Sequence, residues 1–366
     1  MSHSGPFRSV LIFGGAGFIG SNWAHYLLRN TDAQVHVFDN LSRQGVAHNL
    51  ADLRKAARGT GRLKITLGDV RERAAVSRAV ASATDIVNFA AQVAVTTSID
   101  DPRLDFDVNL GGTFNILEAA RESGNRPFLL FTSTNKVYGD MGDVPLSSTR
   151  LRHQYAEMRG ISEERPVDFH SPYGCSKGAA DQYVHDYARI YNLPTVVFRM
   201  SCIAGPRQFG NEDQGWVAHF LYSALQDSPL FIYGDGRQVR DVLCVDDLVR
   251  AFEAVRMNVK RTAGEIYNVG GGFENTVSLL ELMREIKKFT GREVRHRFCP
   301  MRPGDQLVYV TDYSKLQKHT GWRPQISVGQ TLERIHDWWL KNRDLFLPEA
   351  PMEPAAAGLQ EVREAA

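Results

Sequence analysis

Ser9-Val10-Leu11-Ile12-Phe13-Gly14-Gly15-Ala16-Gly17-Phe18-Ile19-Gly20 runs a short apolar strand directly into glycines at 14, 17 and 20, and a helical pattern over Ile19–Arg29 follows. Glycines at this spacing suit a tight turn whose backbone N–H groups, with the helix N-terminus, meet a pyrophosphate. Asp39 stands nineteen residues beyond Gly20, after the apolar run Val35–Phe38. A carboxylate there can accept hydrogen bonds from both ribose hydroxyls of an adenosine and repels a 2′-phosphate, which favours NAD over NADP. Arg43, four residues on, is the one nearby group that would welcome a phosphate.

Outward from this unit the pattern repeats. Leu63–Leu67, Ile86–Phe89, Phe128–Thr132 and Thr195–Met200 read as strands, with helices expected over Arg71–Ala81, Asp105–Ser123 and Gly174–Tyr191. Near-continuously apolar strands separated by helices predict an α/β fold, a Rossmann-type doubly wound parallel sheet covered on both faces. Residues 1–200 are expected to form this dinucleotide lobe. A smaller α/β substrate lobe is expected mainly from 201–345, with helices at Ser278–Phe289 and Gly329–Asn342, and with segments near 241–270, such as Ile266–Val269, returning to the first sheet. The remainder, 346–366, is rich in Pro, Ala and Glu without periodicity and is expected to be mobile.

The 366 residues carry 43 Lys and Arg against 42 Asp and Glu, a formal net charge of +1. No basic field exists to hold nucleic acid, so an anionic ligand must be held by a few placed cations. No apolar run reaches signal-peptide or membrane-spanning length, and Cys175, Cys202, Cys244 and Cys299 form no Cys-x-x-Cys pair. Together these predict a cytoplasmic protein with reduced thiols, no membrane partner and no metal site.

Ser171-Pro172-Tyr173-Gly174-Cys175-Ser176-Lys177 carries the chemistry. Ser171 suits an N-cap and Pro172 the first helical position, which sets Tyr173 and Lys177 four apart on one helical face. An ammonium beside the phenol is expected to lower its pKa toward the working range of a general acid/base. Thr134 ends the fifth strand, where ligands sit in an open parallel sheet, and can hydrogen-bond a reacting hydroxyl. Asp69-Val70 follows the third strand and reads equally as an adenine contact or a turn.

The glycine pattern, Asp39, Asn88-Phe89-Ala90-Ala91, Thr134 and the Tyr173/Lys177 pair together resemble the extended short-chain dehydrogenases/reductases that epimerise or dehydrate sugar nucleotides, over roughly residues 8 to 342. The resemblance implies catalytic Thr134, Tyr173 and Lys177. It implies NAD held by Gly14, Gly17, Phe18, Ile19, Gly20, Asp39, Asn40, Ser42, Arg43, Asp69, Val70, Phe89, Ala90 and Ala91, with Tyr173 and Lys177. A nucleotide-diphosphate sugar would meet Thr134, Asn135, Cys202 and Gln214, its diphosphate gripped by Arg240 and Arg302. Dehydratases of the family place Asp-Glu after the catalytic threonine; Asn135-Lys136 stands there instead. Asn135–Asp140, His170–Gly178, Arg207-Gln208-Phe209 and Asp213–Trp216 are similar to the CDP-paratose 2-epimerase (tyvelose epimerase) branch, and Cys202 replaces the asparagine of 4-epimerases. Phe13, where the family has threonine, and Ala204, where it has tyrosine, depart from the pattern. The resemblance thus implies epimerisation through a transient keto-sugar, at the 2-carbon or alternatively the 4-carbon, by a homodimer. A 4,6-dehydratase and a non-catalytic dinucleotide-binding protein are the remaining readings.

Overall fold

The computed structural model describes residues 8–302 and 304–346. Its centre is a seven-stranded, all-parallel sheet of β1 (Ser9–Phe13), β2 (Gln34–Asp39), β3 (Leu63–Leu67), β4 (Asp85–Asn88), β5 (Phe128–Thr134), β6 (Thr195–Met200) and β7 (Glu265–Val269), in the order β7-β6-β5-β4-β1-β2-β3. The doubly wound α/β fold is therefore present, and Ile266–Val269 lies within the seventh strand.

Alternation along β1 explains the two covered faces. Val10 and Ile12 enter a core with Trp23 and Leu27 of helix α1 (Phe18–Asn30), Leu50 and Leu53 of α2 (Val46–Ala56) and Phe252 of the helix Val245–Met257. Leu11 and Phe13 enter the opposite core with Val76 and Val80 of α3 (Arg73–Val80), Ile116, Phe131 and Val184. All four β1 side chains are fully buried, each contributing about 1.5–3 kcal/mol of transfer free energy. Strand order reverses between β1 and β4, which opens a crevice at their carboxyl ends.

A third core, built from Val217, Leu221, Ile232, Val242, Leu282, Ile286, Leu332 and Ile335, lies under the second half of the chain. Leu316 and Trp322, from positions expected in the substrate lobe, join the first core instead. The strand Val239–Cys244 pairs with Cys202–Ala204, Thr276–Ser278 and Val308–Tyr309 and so brings Arg240 toward the crevice.

Two expectations need adjustment. The helix expected over Asp105–Ser123 is broken into Pro102–Phe106, a π-helical turn at Asp107–Gly111, and Gly112–Glu122. Buried Asn109 sits in that turn, bonded to Gln92 and Ser176, contacts a regular helix would not present together. Phe346 is packed against Phe209 and Tyr222 rather than belonging to a tail, and 347–366 lie outside the described residues. Helices at α2, Trp216–Leu225 and Val245–Met257 lacked an expectation.

Candidate active site

Gly14 takes φ +71°, and a Cβ on it would lie 2.8 Å from the Ala90 nitrogen; one on Gly20 would lie 2.3 Å from the Gly14 carbonyl. Glycine is therefore required at both positions. Gly17 caps α1, whose first N–H groups, at Phe18 and Ile19, open on the crevice. This cradle, which a side chain would fill, fits a dinucleotide pyrophosphate.

Asp39 ends β2 at the crevice and accepts from Ala16 N at 3.0 Å and Leu41 N at 2.8 Å. Burial raises its carboxyl above the usual range despite those bonds. Asn40 Nδ2 donates to Asp69 at 2.9 Å, and Arg71 grips Asp69 with both nitrogens, which holds the Asp69 carboxyl down at about 2. Val70, Phe89, Ala90, Ala91, Ser42 and Arg43 complete this end of a cleft of about 760 Å³.

Thr134, Asn135, Tyr173, Lys177 and Cys202 line the same cleft at the ends of β5 and β6. The Ser171 hydroxyl accepts from Gly174 N at 3.2 Å, as an N-cap does, although Ser171 itself has φ +65°. Tyr173 and Thr134 line the cleft together, and the Thr134 hydroxyl is close enough to draw the phenol's pKa down. Lys177 Nζ donates to the Thr132 carbonyl at 2.6 Å and lies 4.1 Å from the centre of the Phe131 ring.

The expected depression of the tyrosine pKa by Lys177 is not realised in the protein alone. Burial pushes the Tyr173 phenol up to about 12, and Asp105 adds to this, while Thr134 and Arg43 pull the other way. Lys177 itself is driven down to about 7 by burial, against the pull of Asp181 and Asp105. An ammonium that costly to charge, and turned toward Thr132, offers the phenol little.

Neither expected phosphate-gripping arginine lines the cleft. Arg240 Nη2 is 2.8 Å from Asp305, while Arg302 lies 3.3 Å from Glu212 and 3.4 Å from Asp213 and stacks on Tyr233. Gln214 does line it and accepts from Arg43, so that a strap over Gly205–Gly215 crosses the dinucleotide end. Along this strap Asn22 donates to Pro206 O, Arg207 pairs with Asp52, Phe209 lies against Gly45, and Asp213 accepts from Thr96.

Sequence reasoning missed Gln306 and Asp105. Gln306 is wholly buried; it accepts from Asn135 Nδ2 at 2.8 Å and donates to Gly139 O at 2.6 Å. Asp105 accepts from Gln92, Asn109 and Ser176 behind Tyr173 and Lys177. No spacing signal links either residue to the site, because both reach it through the fold. Among the described residues no cluster of His, Cys, Asp and Glu could hold a metal, and all four cysteines are free.

The family model described as GDP-mannose 4,6 dehydratase matches residues 11–335. The chain belongs to this family. It is 41% identical over 337 residues to the CDP-paratose 2-epimerase of Salmonella typhi, covering 90% of this chain and 98% of that one. It is 31% identical to the dTDP-glucose 4,6-dehydratase of Neisseria gonorrhoeae, covering 92% and 96%. Among solved structures it resembles the UDP-glucose 4-epimerase of Thermus thermophilus in complex with NAD, with a TM-score of 0.76, 31% identity and coverage of 91% and 99%. No described helix is long and apolar enough to cross a membrane.

Proposed function

We propose that the chain is an NAD-dependent epimerase of a nucleotide-diphosphate sugar, acting at the 2-carbon of a CDP-paratose/CDP-tyvelose-like substrate. The end of β5 carries this reading: Thr134 lines the cleft with Tyr173, and the next two side chains are an amide and an ammonium where an elimination would need carboxylates. The 41% identity to a CDP-paratose 2-epimerase supports the choice of carbon.

The glycine cradle and the start of α1 would hold the pyrophosphate of NAD, Asp39 its adenosine ribose, and Asn40, Asp69 and Val70 the adenine end. Bound there, NAD supplies a reversible hydride acceptor. Tyr173, as phenolate, takes the proton of the sugar hydroxyl and later returns it. Thr134 orients that hydroxyl and then the carbonyl. Lys177, turned toward Thr132 in the protein alone, would stabilise the phenolate only once it is charged and redirected toward Tyr173 with NAD in place. Asn135 and Cys202 bound the sugar and Gln214 closes the cleft from the dinucleotide side, while Arg240 and Arg302 would have to turn from Asp305 and from Glu212 and Asp213 to hold the diphosphate as the flat keto-sugar turns over. The first lobe, 1–200 with its return near 241–270, serves NAD, and 201–345 mainly the sugar nucleotide. The same reading makes the protein a cytoplasmic homodimer, supported by the exposed Phe114, Tyr183 and Ile190 on the helices Gly112–Glu122 and Ser171–Tyr191.

Likeness to a UDP-glucose 4-epimerase favours a second reading, with the 4-carbon at Tyr173. Deuterium decides between them. A 2-deuterated CDP-paratose should turn over slowly and keep its label in the inverted product, while 4-deuterated substrate reacts at the normal rate. An isotope effect at the 4-position overturns the 2-carbon assignment.

A further inference from the structure

We propose that Lys136 is a substrate-positioning residue whose ammonium binds the sugar-proximal phosphate and so presents the 2-carbon, rather than the 4-carbon, to Thr134 and Tyr173. This rests on the epimerase reading above and deepens it.

Three charges meet on one oxygen. Asp305 Oδ1 lies 3.1 Å from Lys136 Nζ and 2.8 Å from Arg240 Nη2. One carboxylate cannot neutralise two cations, so the cluster keeps surplus positive charge while Lys136 is protonated; burial and Arg240 draw that ammonium below its usual range, and Asp305 holds it up. The cluster is open to a ligand, since the Lys136, Arg240 and Asp305 side chains are 21%, 14% and 30% exposed. It also adjoins the sugar end of the cleft. Asn135, beside Lys136 in the chain, lines that cleft, and the field of Arg240 reaches Cys202 on its wall. The loop is fixed, because Gln306, next to Asp305, binds the Asn135 amide and the Gly139 carbonyl.

Sugar geometry turns this placement into a choice of carbon. In a glycosyl diphosphate the 2-carbon is bonded to the anomeric carbon that bears the phosphate, while the 4-carbon lies across the ring. An enzyme that oxidises the 2-carbon must bring the phosphate much nearer its base. Lys136 follows Thr134 by two residues and shares Asp305 with Arg240; its side chain does not itself line the cleft, so it reaches the phosphate by turning from Asp305. Lysine suits the task, as a compact point charge with three donors on a long stem.

The test is calorimetric titration of the holoenzyme with CDP and, as the monophosphate control, CMP, with UDP and UMP alongside. Wild type should prefer diphosphate to monophosphate. Lys136→Met should weaken diphosphate binding about tenfold, the scale of a lost charge-assisted hydrogen bond, and leave monophosphate binding unchanged. Lys136→Arg should recover part of the loss. The deciding comparison is made in Asp305→Asn. If Lys136 touches phosphate, adding Lys136→Met to that background still weakens CDP; if it only neutralises Asp305, the addition changes nothing and the proposal fails. Equal losses for CDP and CMP, or no preference for diphosphate in wild type, also overturn it. Isotope effects at the 4-position with a diphosphate-specific loss in Lys136→Met would remove the carbon assignment and leave the phosphate contact standing.

Discussion

Lys177 sits where a charge is expensive, enclosed by Phe131, the Thr132 carbonyl and the helix Ser171–Tyr191, and the carboxylate that favours its charge most, Asp181, is already paired with Arg199 through two bonds. Its pKa falls from 10.5 to about 7. The unfolded chain therefore binds more protons than the folded one between those values, and the lysine makes stability rise with pH across that window. Below about pH 7 both states are protonated and the full cost persists. Lys177→Met should therefore gain most in unfolding temperature, relative to wild type, below pH 7, with the difference shrinking toward pH 10.5; melting curves of both proteins at pH 6.5 and 10 measure it. A difference independent of pH would mean that Lys177 is charged in the fold throughout. The four-residue spacing of Tyr173 and Lys177 was legible in the sequence because a helix fixes it. Their titration was not, since burial comes from β5 and Asp105, distant in the chain.

Between β1 and α1 the sequence dictated the element outright. Gly20 is constrained by the Gly14 carbonyl of its own turn and Gly14 takes φ +71° there, so three residue identities and a spacing suffice to read it, although the close neighbour of Gly14 is the distant Ala90. The helix Asp105–Ser123 was misread because its apolar periodicity continues through the π turn; what breaks it is Asn109 reaching Gln92 and Ser176. The strap Gly205–Gly215 had no periodicity at all. Its position is set by partners scattered over α1, α2, the loop after β2 and the short helix Val95–Asp100: Asn22, Asp52, Gly45, Arg43 and Thr96. Because Arg43 and Gln214 meet across the mouth of the dinucleotide end, opening the strap is expected to limit release of NAD. Gln214→Ala should speed that release on the order of tenfold, seen by exchange of bound nucleotide for labelled NAD. Unchanged exchange would show that the strap is not the barrier.

At the scale of the whole molecule the two halves share the first apolar core, which takes in Phe252, Leu316 and Trp322, and buried polar groups fix how they meet there. Asp247, fully buried on the helix Val245–Met257, accepts from the backbone of Gln325 and Ile326 at 2.8 and 2.9 Å, while its carbonyl accepts from Trp322 Nε1 at 3.0 Å. This staple explains why a C-terminal segment packs beside the first sheet, a return that composition and periodicity gave no sign of. Asp247→Ala leaves two part-buried backbone N–H groups and Arg250 without their acceptor and should cost about 1–3 kcal/mol, measured as a lower urea midpoint. An unchanged midpoint would mean that water replaces the carboxylate at no cost. The strap has a consequence at this scale too. A nucleotide shut in through many turnovers is cut off from the cell's NAD:NADH ratio. Such a catalyst keeps the oxidation state it was assembled with, and its output follows sugar supply whether the surrounding metabolism is starved or respiring.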